Sequence, residues 1–231
     1  MGVPQGEIGL KTKTGRPAAR DYHHGNLKNV LIEAAISQIA THGARALSLR
    51  ELSRSIGVSH ASTYRHFPNK ESVLATIAEQ GFEKLTRAME TAARPHAGDA
   101  LAMLQATGVA YVEFGVSYPH HLQIMFGDSI PDHENYPTLV ESSKKAYEVL
   151  VSVVREGQQT GRLRAQDERL VALAAWSQVH GLAMLIASGQ IRAEGAEPIE
   201  YKSLAASVIA LLRDGLSVKE IGGKKRKPRR P

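Results

Sequence analysis

From Ser48 to Phe67 the chain reads SLRELSRSIGVSHASTYRHF, two short helical patterns separated by a glycine. Neither pattern is long enough to hold a helix alone in water, so each must be fixed by apolar contact with other elements. Ser48 and Glu51 have the spacing of a capping box and predict the first start. Gly57 suits the positive φ that ends such a helix. Ser59 caps the second helix, and Pro68 closes it after Phe67. Leu49, Leu52, Ile56, Val58 and Phe67 are the apolar residues that lock the pair. The second helix otherwise offers Ser59, His60, Ala61, Ser62 and Arg65. These side chains suit base edges in a major groove: Arg forks onto guanine, Ser and His donate or accept, and Ala meets a thymine methyl. Tyr64 and Lys70 suit phosphate contacts, which set register without reading sequence. Lys70 also opens the next helix, whose N-terminus favours an anion. The segment predicts a helix-turn-helix that reads double-stranded DNA.

Charge is distributed as this reading requires. Residues 1–70 carry ten Lys/Arg against four Asp/Glu, and residues 71–218 carry twelve against eighteen. Residues 219–231 carry seven against one. Positive charge thus flanks the reader and returns at the tail, where it attracts a polyanion by steering and counterion release. Lys11, Lys13, Arg16 and Arg20 form an arm expected to track phosphates or enter the minor groove. Residues 224–231 hold six Lys/Arg and are expected to add sequence-independent affinity.

The run Gly57 to Phe67, followed by Asn69, Lys70, Glu71 and Leu74, closely resembles the TetR/AcrR family of bacterial transcriptional regulators. Tyr22-His-His-Gly-Asn-Leu27 is similar to one branch of it. Thr63 departs from the pattern, which more often has Leu or Pro there. The resemblance implies that Arg50 reaches a base or phosphate, that Tyr64 and Lys70 grip the backbone, and that His60 to His66 enter the major groove. It also implies a C-terminal helical domain that captures a small-molecule effector and dimerises the chain. Trp176-Ser-Gln-Val-His180-Gly181 resembles a Trp–His–Gly signature of some such domains.

Helical spacing continues to the C-terminus. Helices are predicted from Asn26 (as cap) to Gly43, from Asn69 (as cap) through Leu85, from Asp99 to Ser117, from His120 to Phe126, from Pro137 to Thr160, from Asp167 to Ser188 and from Ile199 to Leu212. No strand-like alternation is sustained, so the fold class is all-α. We divide the chain into a flexible basic arm (1–21), a three-helix helix-turn-helix domain (22–68), a connecting helix (69–94), a helical regulatory and dimerisation domain (95–218) and a disordered basic tail (219–231). Tyr111, Phe114, Tyr118, Met125, Phe126, Trp176, His180 and Met184 are the candidate lining of an apolar pocket. Trp176 and His180 share a helix face, and Gly181 permits close helix approach. Leu170, Leu173, Ala174, Leu182 and Leu185, with Leu204, Val208, Leu211 and Leu212, are expected to form a four-helix interface in a homodimer. The apolar stretch Leu170 to Gly189 contains Gln178 and His180, and reads as a buried bundle helix rather than a membrane span.

Other functions find less support. The chain has no cysteine, which removes disulfides and thiol chemistry and fits a reducing cytoplasm. The first residues lack the pattern of a secretory signal. No P-loop, dinucleotide glycine pattern or nucleophile elbow is present. The adjacent pairs His23-His24 and His120-His121 lack zinc-ligand spacing. Asp128, His133 and Glu134 are the one candidate metal trio, and we expect no metal, no cofactor and no enzymatic activity. The rival reading is a DNA-compacting or adaptor protein that uses only its basic tails.

Overall fold

A computed structural model describes residues 27–130, 132–191 and 200–217. The basic arm, the cap at Asn26 and the tail from 219 lie outside them. Among the described residues there are nine α-helices: α1 Leu27–His42, α2 Leu49–Ser55, α3 His60–His66, α4 Lys70–Ala93, α5 Ala100–Ser117, α6 Pro119–Phe126, α7 Pro137–Gln159, α8 Glu168–Ala187 and α9 Tyr201–Leu216. No strand forms among these residues beyond a single bridge between Leu163 and Ser217. The all-α class stands.

The first four helices begin and end where local chemistry requires. Ser48 Oγ accepts from the Glu51 amide, as a cap does. The reciprocal half of the expected box is missing, because the Glu51 carboxylate accepts from Gln38 Nε2 of α1 at 2.8 Å. That contact ties α1 to α2. Gly57 has φ 73°, a left-handed value that costs other residues roughly 1 kcal/mol or more. Ser59 caps α3 through the Ser62 amide. The full reciprocal box occurs at α4, between Asn69 and Ser72.

The N-terminal core is built from Leu31, Ile32, Ala35 and Ile39 of α1, Leu52 of α2 and Phe67, with Leu74 and Ile77 of α4. Ile56 and Val58 pack on it only partly buried. α4 belongs to both halves. Its first turns close the N-terminal core, and Phe82, Leu85 and Met89 further along pack among the C-terminal helices. Close crossings use small residues: Gly108 faces Ile209 and Val179, and Gly115 faces Ala183. Gly181, expected at such a crossing, has no such neighbour among the described residues.

α8 also differs from expectation. By length and composition it could cross a bilayer, but only one face is buried, along Val171, Ala175, Val179, Leu182 and Ile186. The opposite face leaves Leu170 61%, Leu173 46% and Leu185 47% exposed, and Leu211 of α9 is 74% exposed. Leu182 points inward rather than into that face. α9 runs four residues past its expected end at Leu212.

His121 sits at the α4–α6 junction, 5% exposed, with Nε2 3.5 Å from Lys84 Nζ. Burial, then the Lys84 charge and then His120, push its pKa down to about 4. The unfolded chain, with an ordinary His near 6.5, therefore takes up a proton that the folded chain refuses. We predict that this contribution to stability is complete above pH 6.5 and is lost as pH falls toward 4, by at most about 3 kcal/mol. Thermal melts at pH 7 and pH 4.5 will show a smaller acid loss in H121Q than in the parent.

Candidate nucleic-acid interface and ligand cavity

α3 is anchored on one side and bare on the other. Its anchors are Thr63, fully buried, and Phe67 at its C-terminal end, 1% exposed. Ser53 Oγ lies 2.8 Å from Thr63 Oγ1 and 2.7 Å from the Leu49 carbonyl oxygen. One chain of donors satisfies both: Thr63 donates to Ser53, and Ser53 donates to Leu49. The departure at Thr63 is thus matched by Ser53, which lies in α2, ten residues away. Lys28 Nζ stands 5.9 Å from the centre of the Phe67 ring, a cation–π contact that sequence reasoning missed.

The outward face of α3 carries Ser59, His60, Ala61, Tyr64 and Arg65, all exposed, and Ser62, partly so. Ser62 Oγ accepts from Ser59 Oγ at 3.0 Å and from an Arg65 guanidinium nitrogen at 3.1 Å. Arg65 is thereby held along the helix rather than free to sweep, which reduces the entropy lost when it engages a partner. Arg50 is exposed in the first turn of α2, and Lys70 is half-buried at the start of α4. All eight residues thus lie on α3, its cap, or the helix starts that flank it.

A second feature lies in the C-terminal half. A cavity of about 300 Å³, open on one side, is lined by α4, α5, α7, α8 and α9, with Phe126 of α6. Tyr111 and Trp176 form part of its wall. Trp176 Nε1 donates to the Tyr111 hydroxyl at 3.2 Å, and that hydroxyl lies 2.8 Å from His180 Nδ1. In the tautomer that carries its proton on Nε2, Nδ1 accepts from that hydroxyl. Burial raises the Tyr111 pKa, with the Trp176 hydrogen bond opposing, and lowers that of His180, so both are neutral. His180 backs the wall rather than forming it, with its ring centre 4.6 Å from that of Phe126.

The remaining pocket candidates lie elsewhere. Phe114 is buried against Tyr118, whose exposed ring carries Lys84 5.3 Å from its centre. Met125 packs against Gly81 of α4. Met184 is half-buried further along α8. The stripe Tyr111, Phe114, Tyr118 runs along α5 for ~10 Å at helical rise, which carries its far end past the cavity to α6. Sequence reasoning missed the α7 wall: Ser143, Lys144, Ala146, Tyr147 and Leu150. Their i, i+3, i+4, i+7 spacing was the available signal. Among the described residues no three His, Asp or Glu gather to hold a metal, and Asp128 is paired with Arg45 at 2.8 Å.

Two family models match this chain. Residues 31–77 match "Bacterial regulatory proteins, tetR family", and residues 104–212 match "Tetracyclin repressor-like, C-terminal domain". An HTH-type transcriptional regulator of Mycobacterium tuberculosis is 21% identical over 144 residues, and the match spans 60% of each chain. A solved protein of unknown function from Rhodococcus sp. RHA1 is 32% identical, with TM-score 0.74, over 86% of this chain and all of its own. A solved tetR-family regulatory protein from Rhodococcus RHA1 is 21% identical, with TM-score 0.67, over 84% of this chain and 98% of its own.

Proposed function

The chain belongs to the tetR family of bacterial regulatory proteins, and on that footing we propose that it is a homodimeric, ligand-responsive repressor of a pseudo-palindromic operator. The observation that carries this reading is the exposed, polar face of α3 on a buried anchor at Thr63 and Phe67. Ser59, His60, Ala61, Ser62 and Arg65 read base edges, while Arg50, Tyr64 and Lys70 hold phosphates.

The dimer is formed by the outward faces of α8 and α9. Leu170, Leu173, Leu185 and Leu211 are large apolar residues left in water by the single chain. Burying what remains exposed of each contributes roughly 1–2 kcal/mol. Ala174 and Gly181 on the same stretch let two α8 helices approach closely. Two-fold pairing then sets the α3 helices at a spacing that a palindromic site repeats.

The effector acts through α4. The helix that places Phe82, Leu85 and Met89 against the cavity also places Leu74 and Ile77 in the N-terminal core. An occupant that fits the cavity only when α4 is displaced favours a dimer whose readers are mis-spaced. Genome-wide mapping of bound sites tests the reading. Discrete sites sharing one motif support it, whereas uniform coverage supports DNA compaction by the basic tails.

A further inference from the structure

The cavity wall restricts what it can hold, given the reading of that cavity as the effector site. Five of its side chains carry a hydroxyl or ring N–H, and each of these groups is already hydrogen-bonded within the protein. Thr107 donates to the Met103 and Leu104 carbonyls at 2.9 and 3.1 Å. Ser143 donates to the Val140 carbonyl at 2.9 Å, and Tyr147 to that of Arg169 at 3.0 Å. Trp176 donates to Tyr111, whose hydroxyl is paired with His180 Nδ1. A ligand acceptor placed in the interior would meet no donor and would lose its water for nothing. Sugars, nucleosides and polyols carry several such acceptors and are disfavoured.

The exception is Lys144. Among the described residues it is the only charged one of the wall, with no Asp or Glu beside it there, and it lies exposed on α7 at the rim. Of the carboxylates one turn away on α7, Glu148 is taken by Arg155 at 3.2 Å, and Glu141, with Glu134, lies beside Lys144 on the outer surface rather than on the cavity wall. We propose that the cavity takes a molecule with a hydrocarbon body and one anionic end, the body lying against Leu85, Met89, Trp176, Val179 and Ile209 and the anion meeting the Lys144 ammonium.

Trp176 is the only tryptophan in the chain, so its emission reports occupancy without background. The test titrates the full-length protein with decanoate, decan-1-ol and sorbitol, each below any aggregation concentration. Decanoate will saturate the emission change, decan-1-ol will bind about three- to fivefold more weakly, and sorbitol will give no response. K144A will bring decanoate down to the level of decan-1-ol and leave decan-1-ol unchanged, and K144R will retain the difference. Equal affinity for decanoate and decan-1-ol, or a K144A variant that behaves as the parent, overturns the anionic end. A saturable response to sorbitol, or none to either alkyl probe, overturns the hydrocarbon body. Operator affinity measured alongside separates the two readings. If decanoate fills the cavity and the operator stays bound, the ligand class holds and the effector role falls. If polar compounds release the operator and decanoate does not bind, the effector role holds and the class falls.

Discussion

The double variant L173D/L211D is expected to be a folded monomer that has lost operator binding. Both leucines are on the outside of the chain, 46% and 74% exposed, so an aspartate at either position costs the isolated subunit little. In the dimer each carboxylate faces an apolar partner, and two-fold symmetry places four of them in one interface. An unpaired charge buried there costs several kcal/mol. Light scattering after size exclusion will then give the subunit mass, 25.1 kDa, rather than twice that. Operator affinity will fall by roughly a thousandfold, because the second half-site contact is no longer delivered at high effective concentration. The melting of the monomer will stay cooperative. A variant that remains dimeric and binds as tightly as the parent places the interface elsewhere.

Arg65→Ala is expected to produce the largest loss of any single change within the reader. Its guanidinium is exposed and, among the described residues, is bound to Ser62 on its own helix, so fold stability will change little. Removing a bidentate hydrogen-bonded pair with guanine costs about 1–3 kcal/mol of discrimination. A dimer loses it twice, so affinity for the operator will drop by about 30-fold or more. The preference at one base pair in each half-site will relax. Lys70→Ala gives the contrast: binding weakens equally on all sequences, and the salt slope falls by about one for each phosphate no longer neutralised. Anisotropy titrations on the operator, on single-base variants and across a salt series distinguish the two. An Arg65→Ala protein that keeps its base preference removes that residue from the reading face.

What could be read from sequence was local. Ser48, Gly57, Ser59 and Asn69 act on backbone groups within a few residues, and the structure uses each as a cap or turn. What could not be read depended on partners distant along the chain. Glu51 has capping-box spacing, but Gln38 from another helix takes its carboxylate. Thr63 looked anomalous alone and makes sense only beside Ser53. α8 is apolar on both sides, so its residues gave no sign of which face the chain would cover. The cavity drew on α4 and α7, whose stripes resemble any core-facing stripe until the helices are placed around it. Tyr111 and Trp176 were recognisable because a ring with a polar atom needs a partner when buried, and they are partners of each other.

The proposed function requires that two copies of α3, presented by one symmetric dimer, read duplex DNA by sequence. Selection from a pool of random duplexes by the full-length protein tests it most directly. We predict enrichment of an inverted repeat whose half-sites lie one or more helical turns, ~34 Å each, apart, with the Arg65→Ala protein losing one conserved position per half. A selected pool no different from the starting one, or a motif without the repeat, would contradict the account.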